Sequence, residues 1–244
     1  MKVVINPSYT QYEDFVKRIP QIFSLEGKTI YKARNEIKVY DVDGVQINVK
    51  RYKIPIWINR LIYRLFRHPK AMRAYDYAQF LLAKGIETPT PIAYILFTKW
   101  GLLSESYFIS LQSSFQTLYK VGQSPVEDNA DIFQALGVYM AKLHDAGIYH
   151  ADFSPGNVLY ERTDKGVNFS LVDINRMRFG FVSLKQGCAN FARLWGREAA
   201  FHIMAWSYAK ERHLDEEVCL RWILYYRNRF WKKYMLKHKM EFEL

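Results

Sequence analysis

Apolar and polar residues alternate from Val39 to Lys50 on either side of Asp43-Gly44, which predicts a β-hairpin. Val45, Ile47 and Val49 then share one face of its second strand, and Gln46, Asn48 and Lys50 share the other. The period changes between Lys70 and Lys84 (KAMRAYDYAQFLLAK), an amphipathic helix followed by Gly85 and then by Pro89 and Pro91. Ser106-Tyr107-Phe108-Ile109 reads as a strand. Asp131 to Ala146 carries Ile132, Leu136, Val138, Tyr139, Met140 and Leu143 as a helical stripe, with Gly147 as its stop. His144 in this stretch reads as a helix-face or core histidine. Val158-Leu159-Tyr160 and Phe169-Ser170-Leu171-Val172 predict a second hairpin across Thr163-Asp164-Lys165-Gly166, and Asn190 to Leu194 begins a further helix. There is no internal repeat, and Val121 to Pro125 is only a local loop.

Between the long helix and the second hairpin lies His150-Ala151-Asp152-Phe153-Ser154-Pro155-Gly156-Asn157. This H-x-D-x-x-x-x-N run resembles the catalytic loop of protein-kinase-like phosphotransferases, although an Asx-rich turn would look similar. In such a loop the aspartate accepts the proton of the attacking hydroxyl and the asparagine holds a Mg²⁺ on the nucleotide phosphates. The resemblance implies these roles for Asp152 and Asn157. Phe169 to Val172 leads into Asp173, where a kinase carries its D-F-G aspartate, so Asp173 is expected to share the Mg²⁺. Ile174 and Asn175 replace the Phe and Gly of that motif, which argues against a D-F-G flip. Taken alone, Asp173 is also what a solvated strand end would show.

Lys50 ends the run Ile47-Asn48-Val49-Lys50 and resembles the strand-three lysine of kinases, a point charge for the α- and β-phosphates. Lys53 is a nearby rival with poorer register, and an exposed edge-strand lysine is the plainer alternative. Tyr31 to Lys38 occupies the place of the glycine-rich loop and contains no glycine, leaving Arg34, Asn35 or Lys38 as phosphate contacts. Asp76 is the sole acid of the Lys70–Lys84 helix. It is either the partner of Lys50 or a solvent-facing residue.

Four stretches together resemble the lipopolysaccharide kinase (Kdo/WaaP) family: Asn48-Val49-Lys50-Arg51-Tyr52, Lys84 to Ala93 (KGIETPTPIA), His150 to Asn157, and Leu171 to Arg176. They span the chain from about residue 30 to about residue 195. The resemblance implies an α+β, protein-kinase-like two-lobed fold. An antiparallel N-lobe with one helix would cover residues 1–110, and a mainly helical C-lobe residues 111–244, with ATP and Mg²⁺ between. The hinge is expected at Ser110-Leu111-Gln112, where backbone groups read adenine. The implied activity is ATP-dependent phosphorylation of an inner-core sugar, 3-deoxy-D-manno-octulosonate (Kdo) or heptose, with Asp152 as base, Asn157 and Asp173 as metal ligands and Lys50 on the phosphates. No A-P-E-like element follows Asp173, so a phosphorylated activation loop is not expected.

Composition narrows the partners. A net charge of +11 implies anionic ones, which include a phosphorylated glycolipid, an anionic membrane face or nucleic acid; the glycolipid acceptor is favoured over nucleic acid. Ile54 to Pro69 and Arg221 to Lys239 interleave cations with aromatic and aliphatic residues, as interfacial helices do, or pack against the core with a solvated basic face. Arg176, Arg178, Lys185 and Arg193 follow the metal aspartate and are candidates for the acceptor's anionic groups, or are ordinary surface cations. Cys188 and Cys219 form no disulfide framework. With neither a signal peptide nor a membrane span in view, a cytoplasmic protein is expected, peripheral on the inner membrane at most. Two other functions remain open: a kinase-like phosphotransferase for another small molecule or a protein, and a membrane-associated pseudokinase scaffold.

Overall fold

The computed structural model describes residues 1–53 and 68–239. The chain divides into two units, Met1–Ser114 and Phe115–Leu244.

The first unit is built on a six-stranded antiparallel sheet in the order β1-β5-β6-β4-β3-β2. Its strands are β1 (Lys2–Ile5), β2 (Lys28–Lys32), β3 (Glu36–Val42), β4 (Val45–Tyr52), β5 (Pro91–Lys99) and β6 (Leu102–Leu111). The β3–β4 hairpin closes on Asp43 and Gly44, with φ of 53° and 80°. Such a pair of positive φ values matches the right-handed twist of the flanking strands. The Gly44 amide also donates to the Asp41 carboxylate at 3.0 Å.

Among the described residues two helices cover the sheet, one on each face. Helix α1 (Glu13–Ile22) presents Val16 and Ile19 to Tyr40, Ile47, Val49 and Ile109. Ile47 and Val49 have no exposed surface, which at usual transfer energies contributes about 1.5–3 kcal/mol for each side chain. Helix α2 (Lys70–Ala83) sets Ala71 and Tyr75 against Tyr52, Tyr94 and Leu96 on the other face. It ends as its sequence dictates. Gly85 has φ 71°, Gly85 N–H donates to the Leu82 carbonyl at 3.0 Å, and Ile86 N–H donates to Leu81 at 2.9 Å. One helix is expected in this half from the sequence, whereas two are present among the described residues. The spacing of Val16, Ile19, Ile22 and Phe23 is helical, but Pro20 breaks the signal.

The second unit holds β7 (Gln116–Thr117), α3 (Ala130–Asp145), β8 (Ile148–His150), β9 (Val158–Thr163), β10 (Gly166–Leu171), β11 (Met177–Phe179), α4 (Leu184–Asn190), α5 (Glu198–Glu211) and α6 (Glu216–Met235). The β9–β10 hairpin pairs Thr163 with Gly166, so its strands run out to the Thr163–Gly166 turn. β8 and β11 form a two-stranded ribbon. Helix α3 packs against α5 at Gly137, where a Cβ would strike the Met204 carbonyl. The helix expected to begin at Asn190 instead ends there. Ser183 and Gln186 form a reciprocal capping box that starts α4 at Leu184, and Phe191–Arg193 follows as a 3₁₀ turn. Cys188 and Cys219 are free and buried.

Candidate active site

The loop from His150 to Asn157 joins β8 to β9 and is tied at each end. His150 is 1% exposed. Its Nδ1 accepts the Asp152 amide at 3.1 Å, so that nitrogen carries no proton. Its Nε2–H therefore donates to the Val172 carbonyl, 3.0 Å away. Burial lowers the His150 pKa, and the Val172 bond and the charges of Asp173 and Asp152 only partly oppose it, which keeps the ring neutral. Both carboxylates thus act on one imidazole.

Asn157 closes the loop. Its side-chain NH₂ donates to the Asp152 carbonyl at 2.8 Å, its amide donates to Ser154 at 2.8 Å, and its carbonyl accepts from Val172 N–H at 3.0 Å. With the NH₂ engaged, Oδ1 is the atom turned elsewhere. Asp173 follows Val172 in the left-handed region, φ 54° and ψ 38°. For a non-glycine residue this conformation is uncommon and is concentrated at functional positions. Asn175 donates to the Asp173 carboxylate at 2.6 Å. Asp152, Asn157 and Asp173 are therefore brought together by backbone and imidazole links. Among the described residues no group of three or more His, Cys, Asp or Glu is arranged to hold a metal by itself.

Two arginines meet Asp152. Arg193 reaches Oδ1 at 2.9 Å and Arg176 reaches Oδ2 at 3.6 Å. The two other cations of the candidate group lie elsewhere: Arg178 sits on β11 opposite Tyr149, and the Lys185 ammonium lies 4.5 Å from the Trp222 ring.

In the first unit, Lys50 pairs across the sheet with Ile37 and Phe108, on the face that α2 covers, and its ammonium is 5.3 Å from the Tyr52 ring. Lys53 lies just past the end of β4. Lys38 belongs to the opposite face. It pairs with Val49, donates to the Glu26 carbonyl at 2.9 Å and lies 5.3 Å from the Phe23 ring. It is thus engaged in packing under α1 and is removed from the phosphate candidates, whereas Arg34 and Asn35 stand in the β2–β3 turn. Burial raises the Asp76 pKa, and the opposing cations acting on it are His68 and Lys2.

The stretch expected as the hinge is Ser110-Leu111-Gln112. Ser110 and Leu111 are paired in the sheet with Asn48 and Ile47. The Gln112 amide is committed to the Gln46 carbonyl at 2.9 Å, and its side chain accepts from Asn48 at 2.7 Å. The unit boundary falls after Ser114. Adenine-reading amides are therefore not supplied at Leu111 or Gln112, because sheet pairing continues through them.

Residues 24–215 match the lipopolysaccharide kinase (Kdo/WaaP) family. The chain belongs to that family. This lipopolysaccharide kinase family member is a phosphotransferase, with an α+β kinase-like fold. A solved structure described as WaaP in complex with acyl carrier protein superposes with TM-score 0.64 at 15% identity, covering 95% of this chain and 100% of that one. At that identity the likeness is one of fold. A Rio2 kinase from Chaetomium thermophilum, solved as an ADP/Mg²⁺-phosphoaspartate complex, gives TM-score 0.48 at 15% identity, over 95% of this kinase and 63% of that chain. No curated protein matches. The Ile54–Pro69 segment, read as a possible interfacial helix, lies for residues 54–67 outside the described residues. No helix among the described residues is long and apolar enough to cross a membrane.

Proposed function

We propose that this kinase transfers the γ-phosphoryl group of ATP to a hydroxyl of an inner-core sugar of lipopolysaccharide, Kdo or heptose. Asp152 acts as general base. Transfer forms a bond between the sugar oxygen and the γ-phosphorus and breaks the bond to the β–γ bridging oxygen. ADP leaves, and the hydroxyl proton passes to the Asp152 carboxylate. The observation that carries this reading is the pair of hydrogen bonds made by His150, which fixes the Asp152 amide and the Val172 carbonyl on one neutral ring.

Asn157 Oδ1 and the Asp173 carboxylate are a hard oxygen pair. Such a pair suits a Mg²⁺ that draws its remaining ligands from nucleotide phosphates and water. When bound, that ion neutralises charge on the transferring phosphoryl group. Lys50, from the first unit, is the proposed phosphate ligand. Asp76 fits the partner role less well, given the charges around it.

The glycolipid acceptor is also the reason to expect contact with an anionic membrane face. The end of α6 and the residue after it support it: Tyr234, Met235 and Leu236 are exposed, and no acidic residue occurs from Val218 to Lys239. Labelled ATP with Kdo-lipid A, heptosylated core or a generic protein tests the whole reading. Label is expected on a glycolipid, and label confined to protein rejects the proposal.

A further inference from the structure

Arg176 and Arg193 arrive at Asp152 from different parts of the second unit, one from the 3₁₀ turn after Asp173 and the other from the 3₁₀ turn after α4. Together they place two guanidiniums on one carboxylate. Each remains partly open, with side-chain exposures of 44% and 43%, whereas that of Asp152 is 15%. A guanidinium offers five N–H donors, so two of them far exceed what the carboxylate of Asp152 can accept. Arg193 Nε is moreover buried with no hydrogen-bond partner.

Arg193 is also held in place. Its guanidinium lies 5.5 Å from the Phe230 ring. The segment that bears it is bound to α6 on its C-terminal side. Trp231 Nε1–H donates to the Leu194 carbonyl at 3.0 Å, and Arg227 donates to the Gly196 carbonyl at 2.8 Å. An arginine whose only task is solubility needs no such backing.

Resting on the sugar-kinase reading above, we infer that Arg176 and Arg193 are the acceptor's anion receptor. The group they receive is a carboxylate on the same sugar ring as the attacked hydroxyl. The ring follows from reach. The hydroxyl must come within about 3 Å of Asp152, whose oxygens these arginines already touch, so the anion lies within one ring of it. The carboxylate follows from shape and charge. The planar fork binds it through two parallel bonds, and its single charge is matched without crowding a phosphate dianion against the Asp152 carboxylate. The arriving carboxylate takes over N–H donors now spent on Asp152, which frees Asp152 oxygen for the hydroxyl proton. Arg193 and Arg176 thereby set specificity for a sugar acid over a neutral sugar.

The test uses matched acceptors: Kdo-lipid A, the same glycolipid with its Kdo carboxylate reduced to the alcohol, and heptosylated core. KM and kcat are measured for the wild type, Arg193→Gln, Arg193→Lys and Arg176→Gln, with melting curves to verify folding. The wild type is expected to favour the carboxylate acceptor by about tenfold or more in kcat/KM. Most of that preference should lie in KM. Arg193→Gln and Arg176→Gln should each shrink it, and Arg193→Lys should restore part. Calorimetry with free Kdo should show binding to the wild type and loss of it in Arg193→Gln. Equal use of the carboxylate and reduced acceptors overturns the inference while leaving the sugar-kinase reading intact. So does a preference for heptosylated core, or a carboxylate preference that survives both glutamine variants. Failure of the wild type to phosphorylate any of the three glycolipids removes the sugar-kinase reading and this inference with it.

Discussion

His150 and Val172 are joined by a hydrogen bond from the buried imidazole Nε2–H to the carbonyl oxygen, 3.0 Å long. Val172 precedes Asp173, and the other ring nitrogen of His150 holds the amide of Asp152. The imidazole thus couples the register of the His150–Asn157 loop to that of the strand end.

Replacing His150 breaks both links at once. His150→Ala leaves a partly buried carbonyl and a loop amide without partners, each loss costing about 1–3 kcal/mol. The variant is expected to unfold at a lower urea concentration with an unchanged m-value. At temperatures where it remains folded, kcat should fall because Asp152 and Asp173 are no longer held by one group. A variant with wild-type kcat would show that the imidazole does not position them.

His144 gives a pH signature. Burial lowers its pKa from 6.5 to about 4. Its Nδ1 lies 2.9 Å from the Tyr208 hydroxyl and its Nε2 lies 3.0 Å from Asn190 Oδ1. In the unfolded chain the ring takes a proton near pH 6.5, and in the folded chain only near 4. Between these values the unfolded state binds more protons, so the contribution of His144 is fully present above pH 6.5 and drains away as the pH falls toward 4. The shift corresponds to about 3 kcal/mol. His150, whose pKa is lowered for the same reason, adds to the slope in the same direction. Melting temperatures from pH 7.5 to pH 4.5 should decline, and His144→Gln should flatten the decline. Parallel curves for the two proteins would remove His144 from the account.

Much of this was legible from residue spacing. The Asp-Gly turn and the alternation of Val45, Ile47 and Val49 assign the face of Lys50, because a strand with one clean apolar face has one register. β3 is less readable: Ile37 and Val39 face α2 while Lys38 and Tyr40 face α1, so apolar residues occupy both sides and Lys38 looks as free as Arg34. The approach of Arg176 and Arg193 to Asp152 leaves no periodic trace at all. It arises from two 3₁₀ turns whose positions depend on a capping box and on α6 packing. The pairing of Gln112 with Gln46 is likewise a tertiary fact that no local pattern encodes.

The opposite faces of Lys38 and Lys50 separate stability from binding. Lys38→Ala removes the bond to the Glu26 carbonyl and the contact with Phe23, and is expected to cost about 1–2 kcal/mol of stability. Its nucleotide KM should stay near that of the wild type. Lys50→Ala should instead raise the nucleotide KM or lower kcat with a smaller change in melting temperature. Urea denaturation paired with nucleotide titration of both variants checks the contrast. Weaker nucleotide binding in Lys38→Ala at unchanged stability would return that lysine to the phosphate site.

Metal removal offers a last discrimination. The proposed Mg²⁺ ligands supplied by the protein are one amide oxygen, on Asn157, and one carboxylate, on Asp173, and no larger acidic or histidine cluster exists among the described residues. Two ligand groups are too few to hold Mg²⁺ firmly without nucleotide, because the ion keeps octahedral geometry and gives up water reluctantly. A chelator should therefore abolish phosphotransfer yet leave the melting temperature of the nucleotide-free protein unchanged. Adding ATP alone should raise that temperature less than ATP with Mg²⁺ does, since a ligand stabilises only as far as it binds the folded state. Asp173→Asn should erase the difference between the two additions. If the chelator lowers the melting temperature of the nucleotide-free protein, the metal has a structural site of its own. Asn157 and Asp173 would then not be the residues that hold it.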